Sequence, residues 1–110
     1  MRLPNAERAV VDIVKLRDYC LNANHPRGRH KARLFAAALG VIAVDAEELR
    51  ELFLQGIRNK EATPGVIDAY GERYTVDIPV TRLRWQAVVR TAWIVKRGEG
   101  FPRLTSCFVL

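Results

Sequence analysis

The apolar residues of this chain change their spacing once, near Gly65, and that change dictates the fold class. Before it they recur every three or four residues, the period of a helix with one buried face. After it they alternate, the period of a half-buried strand. Ala9, Val10, Ile13, Val14, Leu16 and Tyr19 form a wide apolar face, which predicts a helix over 6–21 capped by Asn5. The run Val10-Val11-Asp12-Ile13-Val14 also suits a strand. A second helix covers about 30–40 and stops at Gly40. Val41 to Val44 form a short extended link. Asp45, with Glu48 three residues on, makes a capping box for a third helix whose buried stripe is Leu49, Leu52, Phe53 and Ile57. Thr63-Pro64-Gly65 closes the helical half.

Beyond that point Tyr74, Val76, Ile78 and Val80 alternate with Arg73, Thr75, Asp77 and Pro79, as in a strand with one face buried. Gln86–Lys96 is a longer strand, Lys96 to Gly100 a turn, and Phe101–Leu110 a last strand. Val66–Tyr70 is a candidate fourth. The expected architecture is one α+β domain over 1–110. Two to three N-terminal helices (about 6–60) pack on one face of a C-terminal antiparallel sheet of three to four strands (about 66–110).

The chain has 110 residues, enough for one core, and 27% are charged. Eighteen Lys and Arg against twelve Asp and Glu leave a net charge of +6, which favours a polyanionic partner, most simply nucleic acid. Two cysteines far apart, Cys20 and Cys107, make neither a metal spacing nor a disulfide framework and read as packed thiols. No apolar run reaches membrane-spanning length, and residues 1–5 lack a signal peptide's apolar run, so the expectation is a cytoplasmic, reduced protein with no membrane association.

The most unusual stretch is His25-Pro26-Arg27-Gly28-Arg29-His30-Lys31-Ala32-Arg33-Leu34-Phe35. Pro26 and Gly28 mark a loop, and a helix follows directly. Arg27, Arg29, Lys31 and Arg33 therefore crowd a helix mouth that prefers acids, at a cost of about 0.3–1 kcal/mol per charge. A bound phosphate reverses that sign. The stretch reads either as a phosphate or polyanion site or as a solvated basic loop.

Arg90 stands in the middle of a rather apolar strand. It is either paired with Asp77 or another acid across the sheet, or an anchor for phosphate. Arg103 is either a solvated strand-end charge or a second such anchor, sharing a face with Thr105 and Cys107. Ser106, alternating with Leu104 and Phe108, reads as a small hydroxyl tolerated in the core. Trp85 and Trp93 read as core or sheet residues. The acids Glu47, Glu48 and Glu51 read as the solvated face of the third helix. No glycine-rich phosphate loop, helical zinc pair or Gly-x-Ser-x-Gly elbow is present, so neither metal nor cofactor is expected.

His, Lys, Arg and hydroxyls suffice for one reaction class, cleavage of RNA by its own 2′-hydroxyl. That reaction needs a proton acceptor, a proton donor and cations for the charge growing on phosphorus. His30 is the titrating candidate. Lys31 and Arg90 are candidates to hold the phosphate, with Thr91 or Thr105 donating a hydrogen bond. Arg27, Arg29, Arg33 and Arg103 extend the RNA-binding surface.

Leu3-Pro4-Asn5, Lys15-Leu16, Tyr19, Leu21-Asn22, His25-Pro26-x-Gly28-x-x-Lys31-Ala32-x-x-Phe35, Val89-Arg90-Thr91-x-Trp93-Ile94 and Pro102-Arg103-Leu104 resemble a small uncharacterised bacterial domain, a domain of unknown function. That resemblance spans nearly the whole chain. It implies a stand-alone small protein, or the last domain of a large bacterial or phage protein, whose gene often neighbours one for a small antitoxin-like partner. The layout is also similar to the barnase–EndoU–colicin–RelE group of toxin ribonucleases, which implies a metal-free site on the sheet. Ala92 stands where relatives of the small domain tend to have Gly, and Thr81-Arg82-Leu83-Arg84-Trp85 lacks the expected glycine-rich turn. The leading expectation is a metal-independent ribonuclease toxin. The alternatives are a non-catalytic nucleic-acid-binding module and a protein-interaction domain paired with a small partner.

Overall fold

In the computed structural model, which describes residues 1–110, three helices precede a four-stranded antiparallel sheet. The helices are α1 (Ile13–Lys15), α2 (Arg29–Leu39) and α3 (Ala46–Gly56). The strands β1 (Ala62–Ile67), β2 (Gly71–Arg82), β3 (Trp85–Lys96) and β4 (Pro102–Val109) lie in chain order across the sheet. The fold class is the expected α+β. No helix is long and apolar enough to cross a membrane.

The alternation after Gly65 sorts the sheet as its period requires. Tyr74, Val76, Ile78 and Val80 of β2 and Val89, Thr91 and Trp93 of β3 are buried, and their apolar members join Phe35, Leu39, Leu49, Phe53 and Ile57 in one core. Asp77 and Arg90 lie on the opposite face as register partners. A Cβ on Gly56 would meet Ile78 Cγ2 at 2.6 Å, so the last turn of α3 sits directly on β2. At the other end of the helical layer, Gly40 ends α2 in the left-handed conformation. Arg82 donates to the Leu39 and Gly40 carbonyls there and pairs with Glu48 and Asp45.

Residues 6–21 are not one helix. A 3-10 turn, Ala6–Arg8, leads into extended chain, where Val10 pairs with β4 through its N–H to the Pro102 carbonyl and its carbonyl from the Leu104 N–H. β-branched residues beside an open strand edge favour pairing over helix. Asp12 starts the helix by accepting from the Val14 and Lys15 N–H groups, and α1 runs on into a π turn, Leu16–Cys20. Asn5 caps nothing; its amide donates to the Gly100 carbonyl. The link 41–44 is also shorter than expected. Asp45 accepts from the Ile42 N–H and closes a 3-10 turn, Ala43–Asp45, while Glu48 turns to Arg82 instead of completing a capping box.

Thr63-Pro64-Gly65 belongs to β1, with Thr63 opposite Thr75 and Pro64 opposite Tyr74. An edge strand tolerates proline, so the fourth strand begins earlier than 66. In β4 the register with β3 slips between Ala92 and Trp93. Thr105 has no partner there, and the alternation inverts across it. Arg103 shares the sheet face of Ile94, whereas Cys107 shares the opposite face with Thr91, so the two do not share a face.

Candidate functional site

The basic stretch folds as the loop and helix mouth its residues dictate. Gly28 packs against the preceding π turn so closely that a Cβ would sit 1.9 Å from the Tyr19 carbonyl oxygen. The His25 ring closes the loop from within, its Nδ1 accepting from the Arg27 and Gly28 N–H groups at 3.0 and 3.1 Å. That bonding places the neutral ring's proton on Nε2. The Arg29 N–H donates to the His25 carbonyl, while the His30 and Lys31 N–H groups make no hydrogen bond. Arg27, Arg29, His30 and Arg33 are exposed around this mouth, and none forms an ion pair.

Lys31 turns inward. Its Nζ donates to Ser106 Oγ at 2.7 Å and lies 5.7 and 5.9 Å from the ring centres of Tyr19 and Phe108. Tyr19 in turn meets the His25 ring at 4.5 Å between centroids. A row of side chains, His25, Tyr19, Lys31, Phe108 and Ser106, thus joins the loop to β4. The half-buried ammonium is held by π faces and one hydroxyl and by no carboxylate.

The expected partners of Lys31 lie elsewhere. Arg90 donates twice to Asp77, at 2.8 and 2.9 Å, which raises the Arg90 pKa and holds the Asp77 carboxyl below its ordinary value. Thr91 is wholly buried; its hydroxyl donates to the Val76 carbonyl and accepts from Trp93 Nε1. It has no proton to offer a ligand. Arg103 donates twice to Glu99, at 2.9 Å each, and lies over the Phe101 ring. Thr105 donates to the Ala92 carbonyl at the bulge. No hydrogen bond or ion pair connects His30 or Lys31 with Arg90. The nearest tie is Phe108, which lies by Lys31 and opposite Arg90 in register.

Ser106, Tyr19, Phe108 and His25 were the members not singled out from sequence as site residues. The β4 bulge hides Ser106, because alternation assigns it to the core with Leu104. The signal for the others is the absence of any acid from 25 to 35, which leaves a half-buried lysine only neutral partners. No group of three or more His, Cys, Asp or Glu side chains converges.

Fold and site define a basic α+β domain, three helices before an antiparallel meander, with an acid-free lysine cradle at a helix mouth. Residues 2–110 match the family model described as "Domain of unknown function (DUF6883)", and the chain belongs to that family. The family agrees with the resemblance to an uncharacterised domain. Neither the curated proteins nor the solved structures contain a match to the chain.

Proposed function

We propose that this domain binds RNA at the mouth of α2 and cleaves it without a metal, as the toxin of a two-gene pair. The observation that carries the reading is Lys31, a half-buried ammonium with no carboxylate partner, set among aromatic rings and carried by a helix mouth where the His30 and Lys31 N–H groups make no hydrogen bond. Such an arrangement suits a phosphate flanked by stacked bases. Lys31 neutralises the phosphate as charge grows on it. His30, exposed and with a side chain that makes no hydrogen bond or ion pair, is the proton-transfer group, and His25 Nε2 is a second imidazole nitrogen at the site. The 2′-oxygen attacks phosphorus and gives up its proton, and the 5′-oxygen leaves with one. Arg90 and Thr91 take no part in this reading, because Asp77 and the core hold them. A small acidic partner covering Arg27, Arg29 and Arg33 would serve as the antitoxin.

A second reading, RNA binding without cleavage, is favoured by the ion pairs of Arg90 and Arg103, which remove two cations from the expected catalytic set. Incubation of total RNA and tRNA with wild type and Lys31→Ala in EDTA separates the two. Fragments from wild type alone support the enzyme. RNA that is shifted but intact leaves the binding reading, and RNA neither bound nor cut by folded protein sinks both.

A further inference from the structure

Next to the Lys31 cradle, β4 and the chain that pairs with its edge enclose a cavity of about 200 Å³. Its floor is apolar, made by Val10, Ile94 and Leu104. Its rim is cationic: Lys15 comes from the end of α1, Lys96 from the end of β3 and Arg103 from β4. Two local features shape it. Val10 pairs with the β4 edge, and Asp12 then turns the chain into α1, which brings Lys15 alongside Leu104 and Thr105. The bulge at Thr105 bends β4 at the same place.

The charges of this cavity are unequally committed. Glu99 holds Arg103. The one acid of the lining, Asp12, already caps α1, accepting from the Val14 and Lys15 N–H groups. Lys15 and Lys96 are exposed and form no ion pair. Two uncommitted ammonium groups therefore stand above an aliphatic floor. A volume of about 200 Å³ is below the roughly 300–1,000 Å³ of a pocket for a whole small-molecule ligand. It suits one planar ring with an anionic group at the rim.

The cavity also leads to the cradle. A narrow extension is lined by Lys15, Leu104, Thr105 and Ser106, and Ser106 Oγ accepts from Lys31 Nζ at 2.7 Å. Leu104 and Ser106 are two residues apart, about 7 Å along a strand, a step that one nucleotide of an extended chain covers.

We infer that this cavity is a second nucleotide subsite, which takes the base next to the phosphate at Lys31 and sets the following phosphate against Lys15 and Lys96. The inference rests on the RNA reading above and gives the strand a direction, from the mouth of α2 across the β4 bulge. The base lays one face on Val10, Ile94 and Leu104 and leaves water there. Every base has such a face, so the subsite accepts any base and rejects a unit that has none.

The test is a methyl and amide NMR titration of the whole domain with a uridine pentanucleotide RNA. The methyl signals of Val10, Ile94 and Leu104 should move together with the Ser106 amide, on one binding curve. A pentamer of abasic units, with the same phosphates, should move the Ser106 amide and leave those methyls in place. Lys15→Ala and Lys96→Ala combined should keep the melting temperature, bind the uridine pentamer less tightly and show a salt slope smaller by about one. A uridine pentamer that moves Ser106 but none of the three methyl-bearing residues overturns the subsite and leaves the RNA reading standing. One that moves neither refutes both. Methyl shifts as large with the abasic pentamer also overturn the subsite, because no base then fills it.

Discussion

Lys31 and Thr91 show how little a residue's type says until its neighbours are known. Both were candidates for one phosphate site, and the fold sends them to opposite fates. Thr91 is a hydrogen-bond hub in the core, between the Val76 carbonyl and Trp93 Nε1. Thr91→Val keeps the shape and strands the indole N–H, so it lowers stability by about 1–3 kcal/mol. Chemical denaturation measures this, and an unchanged midpoint would return Thr91 to the surface. Gly28→Ala strikes the Tyr19 carbonyl and displaces the loop that carries the basic mouth. It is expected to cost both RNA affinity and folding stability, read by binding and thermal melting of the same sample.

At the scale of elements, the periodicity change near Gly65 carries most of the fold. α2, α3, β2 and β3 sit close to where their apolar spacing puts them. What periodicity hides is decided by long-range pairing. The 6–21 segment breaks because Val10 finds the β4 edge, and Pro64 enters a strand because that strand is an edge. The β4 bulge adds one unpaired residue and so reassigns Arg103, Ser106 and Cys107 together. The β2–β3 turn offers a test at this scale. Leu83 takes φ 56, in the left-handed region, where a side chain costs about 1–2 kcal/mol. Leu83→Gly therefore holds or raises the melting temperature although it deletes a large side chain, one that is 80% exposed. A marked fall would mean that Leu83 makes a contact worth more than its strain.

For the whole molecule, charge connects the site to solution conditions. The outer face of the sheet is neutralised in pairs, Arg90 with Asp77 and Arg103 with Glu99, while the mouth of α2 keeps its cations unpaired. Basic charge and its stretch of origin were legible in the sequence; which cations are spent on acids was not, since that depends on strand register. Hydrogen bonds from Arg90 and Arg103 hold the Asp77 and Glu99 carboxyls below their ordinary values of 3.8 and 4.5. A depressed carboxyl pKa contributes stability that is complete above the unfolded value and lost as pH falls through the folded one. The melting temperature should therefore decline as pH drops below about 4, with a shallower decline in Asp77→Asn. A wild-type curve flat through that range would contradict the pairing.

The most direct measurement of the central claim is the affinity of wild type, Lys31→Ala and Arg90→Ala for single-stranded RNA over a salt series. Wild-type binding should weaken steeply with salt, Lys31→Ala should bind less tightly with a slope smaller by about one, and Arg90→Ala should follow wild type. Equal binding by wild type and Lys31→Ala, or a loss confined to Arg90→Ala, would contradict the account and move the site to the outer face of the sheet.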